Sequence, residues 1–278
     1  MTEYLKHPAF DFDSPQVATD YDQNSNWSPY FGEMIFNHVP LRRDQCVLDI
    51  ACGTGYPTLE LSQRLGPTSH VYGIDTWRAA LDRAQHKVEA FGIKNVTLRN
   101  EDASAMSFED STFDLIVSNV GVNNFESPLT VFKECYRVAK PGALIALTTN
   151  PVGHMAEFYR FYKETLITLG LEQYLVALEE HIAHRFPVEE VCEELGAAGF
   201  DIKRVLRDEF SWRFLDGTAF LNTFHIMYGF LGGWKAVVPE EKQVCVFSDI
   251  EARINEFAEE AGEFKVSVPV RYIEAIKR

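Results

Sequence analysis

The run Val47-Leu48-Asp49-Ile50-Ala51-Cys52-Gly53-Thr54-Gly55 decides how the chain is read. A short apolar strand leads directly into a Gly-x-Gly turn, and helical spacing follows. In an open α/β sheet, ligands bind beyond the carboxyl ends of the strands, near the point where strand order reverses. Glycines at such a turn let the backbone approach a ligand with no Cβ in the way. Twenty residues after Gly55 the next apolar run, 70–74, ends on Asp75. A carboxylate at that place accepts hydrogen bonds from both hydroxyls of a ribose. The bland alternatives are a tight strand–helix turn at the glycines and a helix cap at Asp75.

Outward from this unit, further apolar runs recur at 96–98, 113–117 and 143–147, bounded by turn residues. Between them, Leu81, Ala84, Val88 and Phe91 share one helical face,. Ser127-Pro128 reads as an N-cap followed by proline in the first turn, and Lys140-Pro141-Gly142 ends that helix,. Strands alternating with helices make right-handed βαβ units, so the fold class is α/β with a mostly parallel sheet and helices on both faces. Beyond residue 150, helices are expected over 154–169, 171–183 and 187–198. Two β-rich runs, 200–210 and 264–276, are expected to pair, and the helical pattern between them is too long for a turn. The chain is therefore divided into an N-terminal cap segment (1–40), a cofactor-binding α/β core (41–150), helices with a sixth strand (151–210), a helical lid insertion (211–263) and a last strand (264–278).

Two cofactor types compete for the glycine turn. A dinucleotide site wants a third glycine three residues after Gly55, where this chain has Thr58,. S-adenosylmethionine has a ribose and an adenine but no pyrophosphate, and does not need it. The blocks 47–55, Gly73-Ile74-Asp75, Asn100-Glu101-Asp102-Ala103, the run 113–119 and Lys140-Pro141-Gly142-Ala143 then follow in order. In that order they resemble the successive motifs of class I S-adenosylmethionine-dependent methyltransferases, nearest the small-molecule branch that includes the ubiquinone/menaquinone biosynthesis enzymes. The resemblance covers residues 15–150. It implies a Rossmann-like seven-stranded sheet with an antiparallel last strand.

The same resemblance implies roles for individual residues. Gly53 and Gly55 lie beside the methionine part of the cofactor, with Ala51 in the same turn. Asp75 takes the ribose hydroxyls, and Thr76 and Trp77 flank the adenine. Asp102 accepts from the adenine amine, and the Ala103 N–H donates to the ring. The backbone at Asn119 faces the ammonium group, which the charge of Asp49 supports. Tyr21, in Ala18-Thr19-Asp20-Tyr21-Asp22, matches a tyrosine that closes over the cofactor. The family has no universal catalytic residue, because methyl transfer from a sulfonium needs alignment first and a base only where the acceptor must lose a proton. Asn123, Asn124 and His154 follow the fourth and fifth strands. His154 is the candidate base, since histidine titrates near neutrality. His181 and His184 read as structural.

The chain has 278 residues, 46% of them hydrophobic, and a formal net charge of −15. That acidity disfavours nucleic acid and anionic membrane surfaces as partners, and no Asn-Pro-Pro-Tyr signature of base-modifying enzymes follows the fourth strand. Five cysteines stand apart in the sequence, which argues for reduced thiols in a cytoplasm and against a zinc site; no metal is expected. No apolar run reaches the ~18 residues of a membrane span. Eight aromatics between Phe210 and Trp234 suit an apolar or aromatic acceptor, though most are expected to pack the lid's own core. The expected activity is S-adenosylmethionine-dependent methyl transfer to a small molecule. The alternatives are a non-catalytic cofactor-binding protein of the same fold and, less favoured, a dinucleotide oxidoreductase. Neither the acceptor atom nor the oligomeric state can be read from the sequence.

Overall fold

The computed structural model describes residues 2–7, 10–24, 26–183 and 185–278. Two helices, α1 (Pro15–Gln23) and α2 (Ser28–His38), precede the sheet. Then β1 (Cys46–Ile50), α3 (Thr58–Leu65), β2 (His70–Asp75), α4 (Arg78–Ala90), β3 (Val96–Asn100), β4 (Phe113–Asn119), α5 (Pro128–Val138) and β5 (Ala139–Thr149) alternate. Helices α6 (Ala156–Thr168), α7 (Leu175–Ala183) and α8 (Val188–Ala198) lead to β6 (Phe200–Phe214). Helices α9 (Gly217–Leu221), α10 (Phe224–Gly229), α11 (Leu231–Lys235) and α12 (Glu240–Ala261) lie between β6 and β7 (Phe264–Lys277).

The seven strands form one sheet in the order β3-β2-β1-β4-β5-β7-β6. Strands β1 to β5 pair in parallel, and β7 runs antiparallel to β5 from Leu144↔Ile276 to Thr149↔Arg271. The order reverses between β1 and β4, which puts the switch point at the end of the Val47–Gly55 block. Central parallel strands are buried on both faces and carry near-continuous apolar sequence. Accordingly Val47, Leu48 and Ile50 of β1 and Leu115, Ile116 and Val117 of β4 have no exposed surface. The expected pairing of the two late β-rich runs is present, with the helices α9 to α12 between them.

Several boundaries depart from expectation for physical reasons. The fifth strand starts at Ala139, not at residue 143, because α5 passes straight into it at Val138. Gly142, at φ 79°, is carried inside the strand, and the β4–β5 register shifts between Phe113 and Leu115. Helix α1 was not expected at all. It buries only Ala18 fully, so it has no apolar stripe to read. It is held instead by the Ser14 hydroxyl accepting from Val17 N–H at 3.3 Å and by Asp22, which takes Arg83 at 2.9 Å and Lys87 at 2.5 Å from α4.

The contacts divide the chain into two compact units. The first comprises Asp11–Asn150, Phe186–Asp208 and Val270–Arg278; the second comprises Met1–Phe10, Pro151–Arg185 and Glu209–Pro269. The core of the second unit is aromatic. Trp234 and Phe158 are fully buried and stack with ring centroids 3.9 Å apart, and Phe220 and Phe230 stack on the same indole at 5.9 and 5.7 Å. Tyr4 closes this core by donating to Glu251 of α12 at 3.1 Å. Among the described residues, no helix is long and apolar enough to cross a membrane. Nor is any group of three or more His, Cys, Asp or Glu side chains placed to hold a metal ion.

Candidate functional site

The turn after β1 is built around positive φ angles: Ala51 at 59°, Gly53 at 51° and Gly55 at 99°. Cys52 N–H donates to Ile74 O at 3.0 Å, carrying the β1–β2 ladder past the strand end. The two glycines do different work. A Cβ on Gly55 would press on Ala84 and Leu59 at 3.1 Å, so Gly55 permits close packing of the helices behind the turn. A Cβ on Gly53 would meet nothing within 4 Å. The backbone at Gly53 therefore faces open space.

Asp75 closes the other side. Its Oδ2 accepts from Gly53 N–H at 2.7 Å and its Oδ1 from Trp77 N–H at 2.8 Å. The capping role set against the ribose role is thus real, yet each carboxylate oxygen keeps a further lone pair. Burial pushes the Asp75 pKa up, against the hydrogen bonds from the Trp77, Gly53 and Thr76 backbones. Thr76 is exposed, and Trp77 is half-buried under the N-terminal segment. Its Nε1 donates to Phe12 O at 2.8 Å, and its ring meets Phe12 and Tyr21 edge-on at 5.5 and 5.3 Å. Burial raises the Tyr21 pKa, opposed by a hydrogen bond with Ser28 and reinforced by the charge of Asp75. Tyr21, Trp77, Asp75, Gly53 and Ala51 are therefore gathered around one turn system of the first unit.

Beneath that turn lies Asp49, fully buried in β1. Thr58 Oγ1 donates to its Oδ2 at 2.5 Å, and its Oδ1 has no hydrogen-bond partner among the described residues. Thr58 occupies the place of the third glycine of a dinucleotide fingerprint, and its hydroxyl has a job there that glycine could not do. Burial pushes Asp49 up to about 7, with the Thr58 hydroxyl working against the shift and the charge of Asp75 adding to it.

Along the carboxyl edge, Asp102 is exposed and its Oδ1 accepts from Ser104 N–H at 2.7 Å, shaping the turn that holds half-buried Ala103. Asn119 ends β4. Its amide donates to Ser28 O at 3.0 Å and accepts from Thr148 Oγ1 at 2.7 Å. Next to it Asn123 donates to Asn150 Oδ1 at 2.5 Å and accepts from Thr149 Oγ1 at 2.6 Å. The sequence reading missed Thr148, Thr149 and Asn150, although three polar residues directly after a run of apolar strand residues were a visible signal.

His154 belongs to the second unit, buried just before α6, with Tyr159 and Phe230 rings each at 5.9 Å. His181 lies on α7 in the same unit, where its ring requires glycine at 233: a Cβ there would stand 2.7 Å from Cε1. His184 lies outside the described residues. Most of the aromatics between Phe210 and Trp234 pack within the second unit, as expected of them.

Comparison with known proteins meets this geometry at the same residues. A methyltransferase domain family model matches residues 47–142. The chain is 34% identical over 164 residues to the demethylmenaquinone methyltransferase of Anoxybacillus flavithermus, an alignment covering 55% of this chain and 68% of that protein. It is 33% identical over 201 residues to the enzyme of the same name from Lactococcus lactis, covering 68% of this chain and 77% of that one. Its fold is similar to that of an S-adenosylmethionine-dependent methyltransferase from Aquifex aeolicus, with a TM-score of 0.54 and 24% identity over 69% of this chain and 92% of that chain. The glycine turn and the acid that ends β2 lie inside the matched domain. The chain belongs to the class I S-adenosylmethionine-dependent methyltransferases, on the branch of the quinone-biosynthesis enzymes, and methylates a small molecule.

Proposed function

We propose that this enzyme methylates an electron-rich, apolar aromatic acceptor of the reduced-quinone type, in the cytoplasm. The observation that carries the cofactor half is the Gly53 N–H to Asp75 Oδ2 bond of 2.7 Å beside the open face of Gly53. It brings an amide backbone and a ribose-type acid together around space that a side chain would fill. The residues present suit the cofactor: Asp75 for the ribose, Thr76 and Trp77 beside the adenine, Asp102 and the Ala103 N–H at its edge. Gly53, Gly55 and Ala51 would hold the methionine part, with Asn119 and Asp49 near its ammonium and Tyr21 covering it. The cofactor supplies a methyl group on a sulfonium, and the residues of this chain orient, shield and balance charge. His154 is proposed as the base where the acceptor must lose a proton. The names of the relatives, demethylmenaquinone methyltransferases, and the aromatic second unit support the acceptor class.

A sulfonium methyl is attacked by an electron-rich centre, so the redox state of the acceptor is the test. Incubation with S-adenosylmethionine and a panel of substituted hydroquinones should release S-adenosylhomocysteine, read by mass spectrometry. The corresponding oxidised quinones should release none. Equal release with both forms, or release only with polar amines, would show the acceptor class to be wrong.

Asp49 adds a pH dependence with a definite sign. An unfolded aspartate titrates near 3.8, whereas the folded one holds its proton up to about 7. The native state binds more protons across that window, so the unliganded fold loses stability as pH rises through it and is level above. A bound ammonium group favours the ionised form. Affinity for S-adenosylhomocysteine should therefore rise, by roughly up to tenfold, between pH 6 and pH 8. In Asp49→Asn the profile by titration calorimetry should be flat; a flat profile in the parent protein would take Asp49 out of the ammonium's surroundings.

A further inference from the structure

The two edges of the sheet are unlike. β3 ends it on one side with five residues, most of them half-buried. β6 ends it on the other with fifteen, Phe200–Phe214, paired with β7 along one side only. From Ile202 to Glu209 every residue is exposed except half-buried Leu206. Among these the apolar Ile202 and Val205 keep 37% and 36% of their surface in solvent. No turn or loop backbone hydrogen-bonds to residues 201–207 among the described residues. A long exposed edge carries a row of N–H and C=O groups that can template another strand. Charges of one sign along it would repel any second copy. Here the signs are separated along the strand: Lys203 and Arg204 come first, and Asp208 and Glu209 follow. Asp201, ahead of them, is held by Arg278.

That separation matters for self-pairing. A twofold axis perpendicular to the sheet makes two copies of one strand antiparallel and keeps their faces, so each residue opposes one on the same face. With the axis at Leu206, Lys203 opposes Glu209, Arg204 opposes Asp208, Val205 opposes Arg207 and Ile202 opposes Phe210. Moved to Val205, the axis would set Lys203 against Arg207 and Asp201 against Glu209. Moved to Arg207, it would set two guanidiniums against each other. Like charges directly opposite are destabilising and unlike ones favourable, so one register is selected. We propose that the outer edge of β6 docks a second copy of this chain, the two strands pairing antiparallel about Leu206 into one continuous sheet. Arg204 can serve both its own chain and the second copy. Its Nε and Nη2 hold Glu274 at 3.0 and 2.7 Å and Nη2 reaches His38 O at 3.2 Å, which leaves Nη1 for Asp208 of the second copy.

The test is analytical ultracentrifugation of the full chain over a range of concentrations. The parent protein should sediment as a dimer. Lys203→Glu puts a carboxylate opposite Glu209 on both sides of the axis, and Glu209→Lys puts an ammonium opposite Lys203. Each turns two attractions into two repulsions and should raise the dissociation constant roughly tenfold. An equimolar mixture of the two variants should form a heterodimer about as tight as the parent, because every pair is then of opposite sign again. That recovery also shows that both variants fold. Leu206→Lys places two like charges on the axis itself and should weaken the dimer as well. A monomeric parent, variants that dimerise as tightly as the parent, or a mixture no tighter than either variant alone would overturn the proposal. None of these readouts depends on methyl transfer.

Discussion

Asp75→Ala is expected to weaken S-adenosylhomocysteine binding at least tenfold. Hydrogen bonds to a charged group contribute about 1.5–3 kcal/mol each, and a ribose offers two hydroxyls to this carboxylate. The substitution has a second effect, because Gly53 N–H and Trp77 N–H both donate to Asp75. Losing it frees the glycine turn as well as the ribose. Asp75→Asn separates the two: one amide oxygen can still take one backbone N–H, but the charge is gone, and the amide NH₂ faces a donor. Affinity should fall in both variants, further in the alanine one, with the far-ultraviolet circular dichroism unchanged. Calorimetry showing undiminished binding in Asp75→Ala would remove Asp75 from the site.

The largest effect on stability should come from the second unit. Phe158 is fully buried, stacks on Trp234 at 3.9 Å and contacts Phe220 at 5.5 Å. Phe158→Ala removes a ring from an enclosed site whose neighbours are themselves rigid aromatics and cannot collapse into the gap. Such truncations cost about 3–5 kcal/mol. Urea unfolding followed by tryptophan fluorescence should show the midpoint falling accordingly, since Trp234 reports on this core. A loss below about 1 kcal/mol would mean that the stack collapses around the missing ring.

The parts of the fold legible in the sequence were those whose signal is local and periodic. β1 and β4 are buried over most of their length and β2 over half of its own, so their apolar residues stood out as runs. The helix after Asp75 showed its stripe at Leu81, Ala84 and Val88, all of which are buried, whereas Phe91, read on the same face, caps the helix end and is exposed. Helix α1 left no such mark, because beyond a single local serine cap what holds it is an ion-pair cluster on Asp22, whose partners lie 61 and 65 positions away. The start of β5 was misplaced because Lys140-Pro141-Gly142 reads as a stop, while the strand tolerates it beside a register shift.

The candidate site divides in the same way. Gly53, Gly55 and Asp75 were visible because their spacing along the chain is set by one strand–turn–helix unit. That Gly55 serves packing and Gly53 faces open space was not visible, since it depends on where Ala84 and Leu59 come to rest. Nor was the service of Thr58 to Asp49, which turned an apparent deviation from a dinucleotide pattern into a structural requirement.

The division of the chain has an evolutionary consequence. The polypeptide passes between its two units at 10/11, 150/151, 185/186, 208/209 and 269/270, while the whole of 11–150 is one uninterrupted length. A gene segment encoding that length can be inherited or recombined as a single cassette, and the shared methyltransferase motifs fall within it. The second unit has no such segment: it is assembled from three separate stretches of chain. Descendants of one ancestor can therefore keep the 11–150 segment almost unaltered while diversifying the other unit piece by piece, and no single crossover can exchange that unit between two of them.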